Sequence, residues 1–256
     1  MKLEPAFLFY MVKKFSEVDE RIIPDETAKG IVSVHLKRYG FAKDFCESKT
    51  VLDIACGTGY GTYDLAPFVQ KIVGADRSFE AIEYARQRYA HPNASYEIMD
   101  ACQMNFPDQS FDVVCSFETI EHVEPVEAYL KEVVRVLKKG GAYLVSTPCA
   151  TQTTQSPENP FHIQEWSPSD FRKLLASYFD SVELFGQKRK ESTLHRVLRK
   201  LDPWNFHAKI RAPHFTNTLS RMTGTAGFSE MDLNDFDIVR EDFKRADYII
   251  GIGRLK

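Results

Sequence analysis

The sequence predicts an α/β protein with a doubly wound, mainly parallel sheet. Two observations carry this prediction: short apolar runs rich in β-branched residues recur along the chain, and segments with helical periodicity separate most of them. Continuous apolar runs are typical of strands that are buried on both faces, as the strands of a parallel sheet are. The alternation of strand and helix therefore indicates successive βαβ units.

The predicted strands are short and apolar, and most of them end at a polar or glycine-bearing loop. In chain order they are TVLDIA (50–55), KIVGAD (71–76), SYEIMD (95–100), FDVVCSF (111–117), AYLVSTP (142–148), SVELFG (181–186) and ADYIIGIGRL (246–255). This count predicts a sheet of seven strands.

Helices are predicted between these strands, over residues 60–69, 78–89 and 126–137, because apolar residues repeat there at helical spacing. KKGG at 138–141 predicts the end of the third helix through its lysines and glycines. A further helix is predicted to begin at Ser167, where SPSD offers a capping serine and a proline for the first turn.

Composition narrows the classes of function. Lys and Arg total 33 against 36 Asp and Glu, a net charge of −3, which favours neither a nucleic-acid coat nor a cationic membrane binder. No apolar run approaches the roughly 18 residues of a membrane-spanning helix. The five cysteines are odd in number and dispersed, as reduced thiols are, so we expect a cytoplasmic protein without a transmembrane segment.

The chain is expected to form one domain, residues 1–256. Its parts are an N-terminal helical cap (1–48), a sheet core (49–186 and 236–256) and a lid-like insert (187–235). The segment from Lys188 to Arg211 contains eight basic residues and only two acidic ones, and Trp204 and Phe206 lie among them. A lid over the site, a peripheral contact with an anionic membrane through 188–211 and a solvated face all remain open.

The segment VLDIACGTGYG (51–61) places two glycines in a strand-to-helix turn, where backbone can approach a ligand closely. It is not the dinucleotide pattern GxGxxG. The second strand ends in Asp76, which is placed to accept hydrogen bonds from two ribose hydroxyls and would repel a phosphate. The third ends in Asp100 followed by Ala101, which suit the edge and face of an adenine.

This set resembles the class I S-adenosylmethionine-dependent methyltransferase family over roughly residues 49–186. The matching pieces are LDIACGTGYG, GADRS, MDA, FDVVCSFETIEHV and VLKKGGAYLVSTP. The resemblance implies a Rossmann-like, seven-stranded sheet whose last strand is antiparallel. DERIIPD (19–25) and HLKRYGFA (35–42) are similar to a bacterial subgroup associated with surface-glycan modification.

The resemblance implies S-adenosylmethionine as cofactor and assigns residues to its parts. Those assigned to the methionine moiety and the turn around it are Asp53, Ala55, Gly57, Gly59 and Tyr60. Those assigned to the nucleoside and sulfonium are Asp76 for the ribose, Asp100, Ala101 and Arg77 for the adenine, and Phe117 for the sulfonium. Ala55 stands where the family usually has its first glycine. Arg21 and Tyr39 are candidates for closing over the cofactor, Arg21 by pairing with its carboxylate; a solvated helix-end charge is the alternative for Arg21.

Two histidines are candidate catalytic residues, because a hydroxyl nucleophile needs a base. His162 in NPFHIQEW is the preferred general base, and His122 in ETIEHV is the second candidate. A role in ordering the loop or binding substrate remains open for His162. Glu118, Glu121 and His122 are as typical of a solvated helix start as of a metal site, so no metal is expected.

We therefore predict an enzyme that transfers a methyl group from S-adenosylmethionine to oxygen or nitrogen of a small molecule. A sugar or glycan precursor, including a lipid-linked one, is the leading acceptor class; nucleic acid is not favoured. One alternative is a nucleotide-cofactor Rossmann oxidoreductase, although the only YxxxK pair, Tyr10 to Lys14, precedes the glycine turn. The other alternative is a protein that binds the cofactor without catalysis.

Overall fold

A computed structural model describes residues 21–190 and 230–256. The predicted cap before residue 21 and the insert between residues 190 and 230, with Trp204 and Phe206, lie outside the described residues. An eight-stranded sheet forms the centre of the described structure. Its strands are β1 (Thr50–Ile54), β2 (Lys71–Asp76), β3 (Ala94–Ile98), β4 (Phe111–Phe117), β5 (Leu137–Pro148), β6 (Ser181–Arg189), β7 (Phe236–Arg240) and β8 (Tyr248–Arg254).

The strand order is β3-β2-β1-β4-β5-β8-β6-β7. The first five strands of this order pair in parallel, and β8 pairs antiparallel with both β5 and β6. The chain first builds outward from β1 to β3 and then returns to the other side of β1 with β4. The prediction of a doubly wound, mainly parallel sheet with an antiparallel last strand is therefore confirmed.

The predicted count of seven strands is wrong, because β7 adds an eighth at the edge of the sheet. β7 pairs antiparallel with β6 from Phe185↔Arg240 to Arg189↔Phe236. β6 thus runs three residues beyond its predicted end at Gly186. Only Phe236 of β7 is fully buried, so the five-residue strand lacks the apolar run that marks the central strands.

The helices of the described residues flank the sheet. They are α1 (Lys29–Cys46), α2 (Tyr60–Leu65), α3 (Phe79–Arg88), α4 (Val126–Val136) and α5 (Pro168–Ala176). The cap predicted at Ser167 is confirmed, since its side chain accepts a hydrogen bond from the Asp170 amide and Pro168 occupies the first turn. Each helix of the described part of the chain is too short or too polar to cross a bilayer.

The segment KKGG does not end a helix, contrary to its prediction. α4 ends at Val136 and the chain passes directly into β5, where Leu137 pairs with Phe111. The register of this pairing shifts before it resumes at Ala142, and Gly140 takes a φ of +75°. The glycines thus accommodate a bulge within a strand.

Hydrophobic residues cover both faces of the sheet. Val113 and Val114, neighbours on β4, belong to different clusters. The Val114 side packs against α4 and α5 through residues such as Leu130 and Phe171. The Val113 side packs against α1 and α2, so that α1 shares one core with the sheet.

Candidate functional site

A cavity of about 1270 Å³ lies at the carboxyl ends of β1, β2 and β4, where the strand order reverses. Ligands of doubly wound sheets bind at this switch point. The cavity is larger than the usual range of roughly 300 to 1,000 Å³ for a single small-molecule site, so it has room for more than one ligand. Every predicted site residue except Asp53 and Gly59 lines it.

The glycine turn after β1 has three residues in the left-handed region: Ala55, Gly57 and Gly59, with φ of +59°, +57° and +83°. A Cβ on Gly59 would come within 2.6 Å of the Cβ of Ala85, so this position requires glycine for packing. A Cβ on Gly57 would meet nothing within 4 Å, so the backbone there is open to the cavity. Ala55 holds a strained conformation that glycine adopts without penalty.

Asp76 ties the glycine turn to the end of β2. Its carboxylate accepts hydrogen bonds from the backbone amides of Gly57 at 3.0 Å and Ser78 at 2.9 Å. Arg21 approaches the same carboxylate, with Nη2 3.7 Å from Oδ1. The structure thus places Arg21 beside the predicted ribose residue, and its pairing with a cofactor carboxylate stays a prediction.

Asp53 lies beneath the turn and does not reach the cavity surface. Its carboxylate accepts hydrogen bonds from the hydroxyls of Tyr39, at 3.2 and 3.3 Å, and Thr62, at 2.6 Å. Burial raises the pKa of Asp53 to about 7. Its position is that of a structural link between α1, α2 and β1, because two helices donate to one strand-end carboxylate.

Asp100, Ala101 and Arg77 line the cavity beyond β3 and β2, at the predicted adenine end. The Asp100 carboxylate accepts a hydrogen bond from the Cys102 amide at 2.8 Å, which orders the turn after β3. Phe117 lies at the end of β4, in edge-to-face contact with Tyr39 at 5.0 Å between ring centroids. An aromatic wall thus faces the glycine turn.

Buried Arg38 pairs with the partly exposed Glu118, a contact that could not be predicted from the sequence. Arg38 is fully buried; its Nε donates to the side chain of Gln187 at 2.7 Å, and its Nη1 lies 3.5 Å from Glu118 Oε1. The guanidinium also lies 4.1 Å over the ring of Tyr248. Glu118 and Tyr248 both line the cavity, so Arg38 fixes two of its wall residues from behind. Its neighbour Tyr39 was the candidate in HLKRYGFA, since an arginine on a helix gives no sign of burial.

His122 and His162 meet in the cavity wall, with ring centroids 4.8 Å apart. Nδ1 of His122 lies 2.9 Å from the carbonyl oxygen of Phe161, and Nδ1 of His162 lies 2.5 Å from Glu165 Oε1. The amide nitrogen of Asn159 lies 2.9 Å from His162 Nε2. The preferred tautomer therefore donates from Nδ1 of His162 and accepts at Nε2.

Glu121 lies beside these histidines and is 1% exposed. Neither of its carboxylate oxygens makes a hydrogen bond of good geometry among the described residues. Burial, followed by the nearby charge of Glu118, raises the pKa of Glu121 well above its usual value, although the Thr147 hydroxyl and the Glu121 backbone amide are close enough to oppose the rise. One ligand atom from each of Glu121, His122 and His162 lies within 4.8 Å of the others.

Residues 52–145 match the family model described as a methyltransferase domain. A relative from Mycolicibacterium smegmatis, described as an S-adenosylmethionine-dependent methyltransferase, is 33% identical over 141 residues, which cover 54% of each protein. Residues 52–145 therefore carry a methyltransferase domain, and about half of the chain is similar to S-adenosylmethionine-dependent methyltransferases.

Two further proteins resemble this methyltransferase domain. Phosphoethanolamine N-methyltransferase 1 of Arabidopsis thaliana is 29% identical over 205 residues, covering 78% of this chain and 37% of the relative. A Thermotoga maritima structure, described as an S-adenosylmethionine-dependent methyltransferase and possible histamine N-methyltransferase, has a TM-score of 0.62 and 17% identity. It covers 97% of this chain and 100% of that structure, which shows a shared fold.

The match to a methyltransferase domain favours S-adenosylmethionine, the cofactor named for the relatives, over a nicotinamide cofactor. The residues present fit it: the backbone is open above Gly57, and Asp76, the predicted ribose acceptor, lies next to it. The chain spans about half the length of the first curated relatives, 54% to 58%. The family match therefore covers residues 52–145 and does not identify the methyl acceptor.

Proposed function

We propose that this chain transfers a methyl group from S-adenosylmethionine to oxygen or nitrogen of a small molecule, with a sugar or glycan precursor as the leading acceptor class. One observation carries the proposal: a single cavity reaches from the glycine turn and Asp76 to His122 and His162. Cofactor residues and polar groups for an acceptor therefore share one space, as in-line transfer requires.

Bound S-adenosylmethionine supplies an electrophilic methyl group on a sulfonium. The chain supplies position and a dry environment. Asp76 would accept from the ribose and Gly57 would permit close approach of the backbone, while Phe117 and Tyr60, which line the same cavity, would cover the reacting end with aromatic surface. Asp100 and Arg77 bound the adenine end.

The acceptor end of the cavity is polar, with His122, His162, Asn159 and Glu118 in its wall. Such a wall suits hydroxyl or amine groups of a small polar molecule. For a hydroxyl acceptor, S-adenosylmethionine would supply the methyl group, and His162 Nε2 would take the proton that the hydroxyl oxygen loses. Glu165 holds the required tautomer, and the Asn159 amide must release Nε2 before it acts.

The name of the Arabidopsis relative points to nitrogen as the acceptor atom for that protein. We retain both atoms for this chain, because the wall offers a base for a hydroxyl and carboxylates for an amine. Binding of the cofactor without catalysis is the second candidate, and acceptor turnover separates the two.

The single-domain arrangement, with residues 187–235 as a lid, belongs to the same proposal. Arg189 at the end of β6 and Tyr248 at the start of β8 both line the cavity. The insert therefore begins at the rim of the site. A cytoplasmic location is also proposed, since the five cysteines are free thiols.

An acceptor screen with methyl-labelled S-adenosylmethionine tests the proposed function. Nucleotide sugars, lipid-linked sugars and small amines, phosphoethanolamine among them, form the panel. Labelled product from one class, abolished when His162 is changed to Ala for a hydroxyl acceptor, supports the proposal. Full turnover by His162→Ala would remove the base role, and cofactor binding without product from any class would favour the second candidate.

A further inference from the structure

We propose that Glu121, His122 and His162 bind one divalent transition-metal ion in the wall of the cavity. His162 follows the Glu-His pair by forty residues in the chain, and the loop after β5 brings it back to them. One ligand atom from each side chain lies within 4.8 Å of the other two.

Glu121 provides the first independent argument. Its side chain is almost fully buried, and both carboxylate oxygens lack a hydrogen bond of good geometry within residues 21–190 and 230–256. A buried polar group without a partner costs on the order of 1 to 3 kcal/mol, more when it is charged. A cation bound between Glu121 and the histidines would satisfy it directly.

The hydrogen bonds of the two imidazoles provide the second argument. His122 Nδ1 faces the Phe161 carbonyl, which can only accept, and His162 Nδ1 faces the Glu165 carboxylate. Metal-binding histidines characteristically donate one ring N–H to a carbonyl or carboxylate and coordinate through the other nitrogen. Both rings therefore carry the tautomer that presents Nε2 as a ligand atom.

The Asn159 amide is one contact that an ion would displace. Its nitrogen lies 2.9 Å from His162 Nε2, and its oxygen accepts from the Phe161 amide at 3.1 Å. Because the Asn159 amide nitrogen donates to Nε2, this ring nitrogen carries a lone pair and not a proton. Release of Asn159 leaves that lone pair for a cation.

The donor set indicates the kind of ion. Two imidazoles and one carboxylate suit Zn²⁺, Mn²⁺ or Fe²⁺ better than Mg²⁺ or Ca²⁺, which prefer oxygen ligands throughout. Ligand atoms about 2.1 Å from a tetrahedral ion are about 3.4 Å apart, so the three side chains close by on the order of 1 Å. Three protein ligands leave a position open to the cavity.

The proposal of metal binding is based on the positions of Glu121, His122 and His162 and does not depend on the proposed function. That the ion faces a methyl acceptor does rest on the proposed function. The base role of His162 therefore applies to the metal-free chain, because one Nε2 lone pair cannot both bind an ion and take a proton.

Equilibrium dialysis of the chelator-stripped full chain against Zn²⁺ and Mn²⁺, with Mg²⁺ for comparison, tests the proposal. We expect one ion per chain and a rise in melting temperature when it binds. Glu165→Gln weakens binding about 10-fold by loosening His162, and His122→Gln or His162→Gln weakens it more than about 100-fold. His91→Gln, at a histidine whose Nδ1 accepts from the Asn93 amide before β3, leaves binding unchanged.

Failure of the metal proposal and failure of the proposed function are separable. No binding of Zn²⁺ or Mn²⁺ up to millimolar concentration, or undiminished binding by the His122→Gln/His162→Gln double variant, overturns the metal site. S-Adenosylmethionine titrated into the same stripped protein reports on the cofactor site. Retained cofactor binding also shows that each variant is folded.

Discussion

The carboxylate of Asp53, a residue only 1% exposed, accepts hydrogen bonds from the hydroxyl of Tyr39 on α1 and from that of Thr62 on α2. One strand-end acid therefore fixes two helices against the sheet directly below the glycine turn. A buried acid with two neutral donors favours its protonated form, since burial outweighs the hydrogen bonds.

The raised pKa of Asp53 makes stability depend on pH. Below its ordinary value of 3.8 the group is protonated in folded and unfolded chains alike. Between there and about 7 the folded chain holds the proton and the unfolded chain does not, so this group's contribution to the free energy of unfolding falls as pH rises. The loss is on the order of 4 kcal/mol at neutral pH.

Asp53→Asn removes this dependence, because the amide cannot ionise and still accepts from both hydroxyls. We expect the variant to gain stability relative to the native chain as pH rises from 4 to 7, measured by urea denaturation at several pH values. If the free energy of unfolding changed with pH equally in the two proteins, Asp53 would be ionised in the folded chain.

Ala55→Gly relieves backbone strain. A non-glycine residue at a φ of +59° costs roughly 1 to 2 kcal/mol, against about 0.5 to 1 kcal/mol for the greater freedom of glycine when unfolded. We expect a net gain of about 0.5 to 1 kcal/mol in thermal or urea denaturation. Ala128→Gly, within α4, is the matched control and loses about 1 kcal/mol. A loss of similar size at both sites would contradict the strain argument.

Arg38→Met leaves the carboxylate of Glu118, which is 16% exposed in the cavity wall, without its cation. Loss of a partner for such a partly buried charged group costs about 1 to 3 kcal/mol. Arg240, which pairs with Glu183 at 3.0 Å on the surface, offers the comparison, since exposed pairs contribute at most about 1 kcal/mol. Urea denaturation of Arg38→Met and Arg240→Met measures the loss in the free energy of unfolding for each variant. Equal losses of stability would mean that Arg38 does not hold the cavity wall.

The central strands and the capped helices could be predicted from the sequence because their causes are local. β1 and β4 are apolar runs, and the cap at Ser167 needs only its own next three residues. β7 could not be predicted, because only pairing with β6 makes a strand of FDIVR. KKGG carried a helix-stop signal that the pairing of Leu137 with Phe111 overrode.

In the site, too, features with local causes could be predicted and features that depend on distant contacts could not. The position of Asp76 in the site could be predicted because Asp76 ends the second strand, and the hydrogen bond from the Gly57 amide agrees with that position. The burial of Asp53 beneath Tyr39, and the guanidinium of Arg38 over Tyr248, depend on how α1 crosses the sheet. The meeting of His122 and His162 depends on the path of the loop after β5, which no local pattern records.

The central claim is that the cavity beside Asp76 binds S-adenosylmethionine. Asp76→Ala removes both the ribose acceptor and the carboxylate that orders the Gly57 amide. Loss of even one hydrogen bond to a charged group, about 1.5 to 3 kcal/mol, corresponds to a loss of roughly 10- to 100-fold in affinity. Asp108→Ala, at an exposed carboxylate paired with Arg135, is the matched control.

Calorimetric titration of S-adenosylmethionine and NAD into the native chain, Asp76→Ala and Asp108→Ala is the most direct measurement. We expect one S-adenosylmethionine per chain for the native protein and Asp108→Ala, binding at least about 10-fold weaker for Asp76→Ala, and no heat from NAD. Binding of NAD without S-adenosylmethionine, or equal affinity for S-adenosylmethionine in all three proteins, would contradict the account.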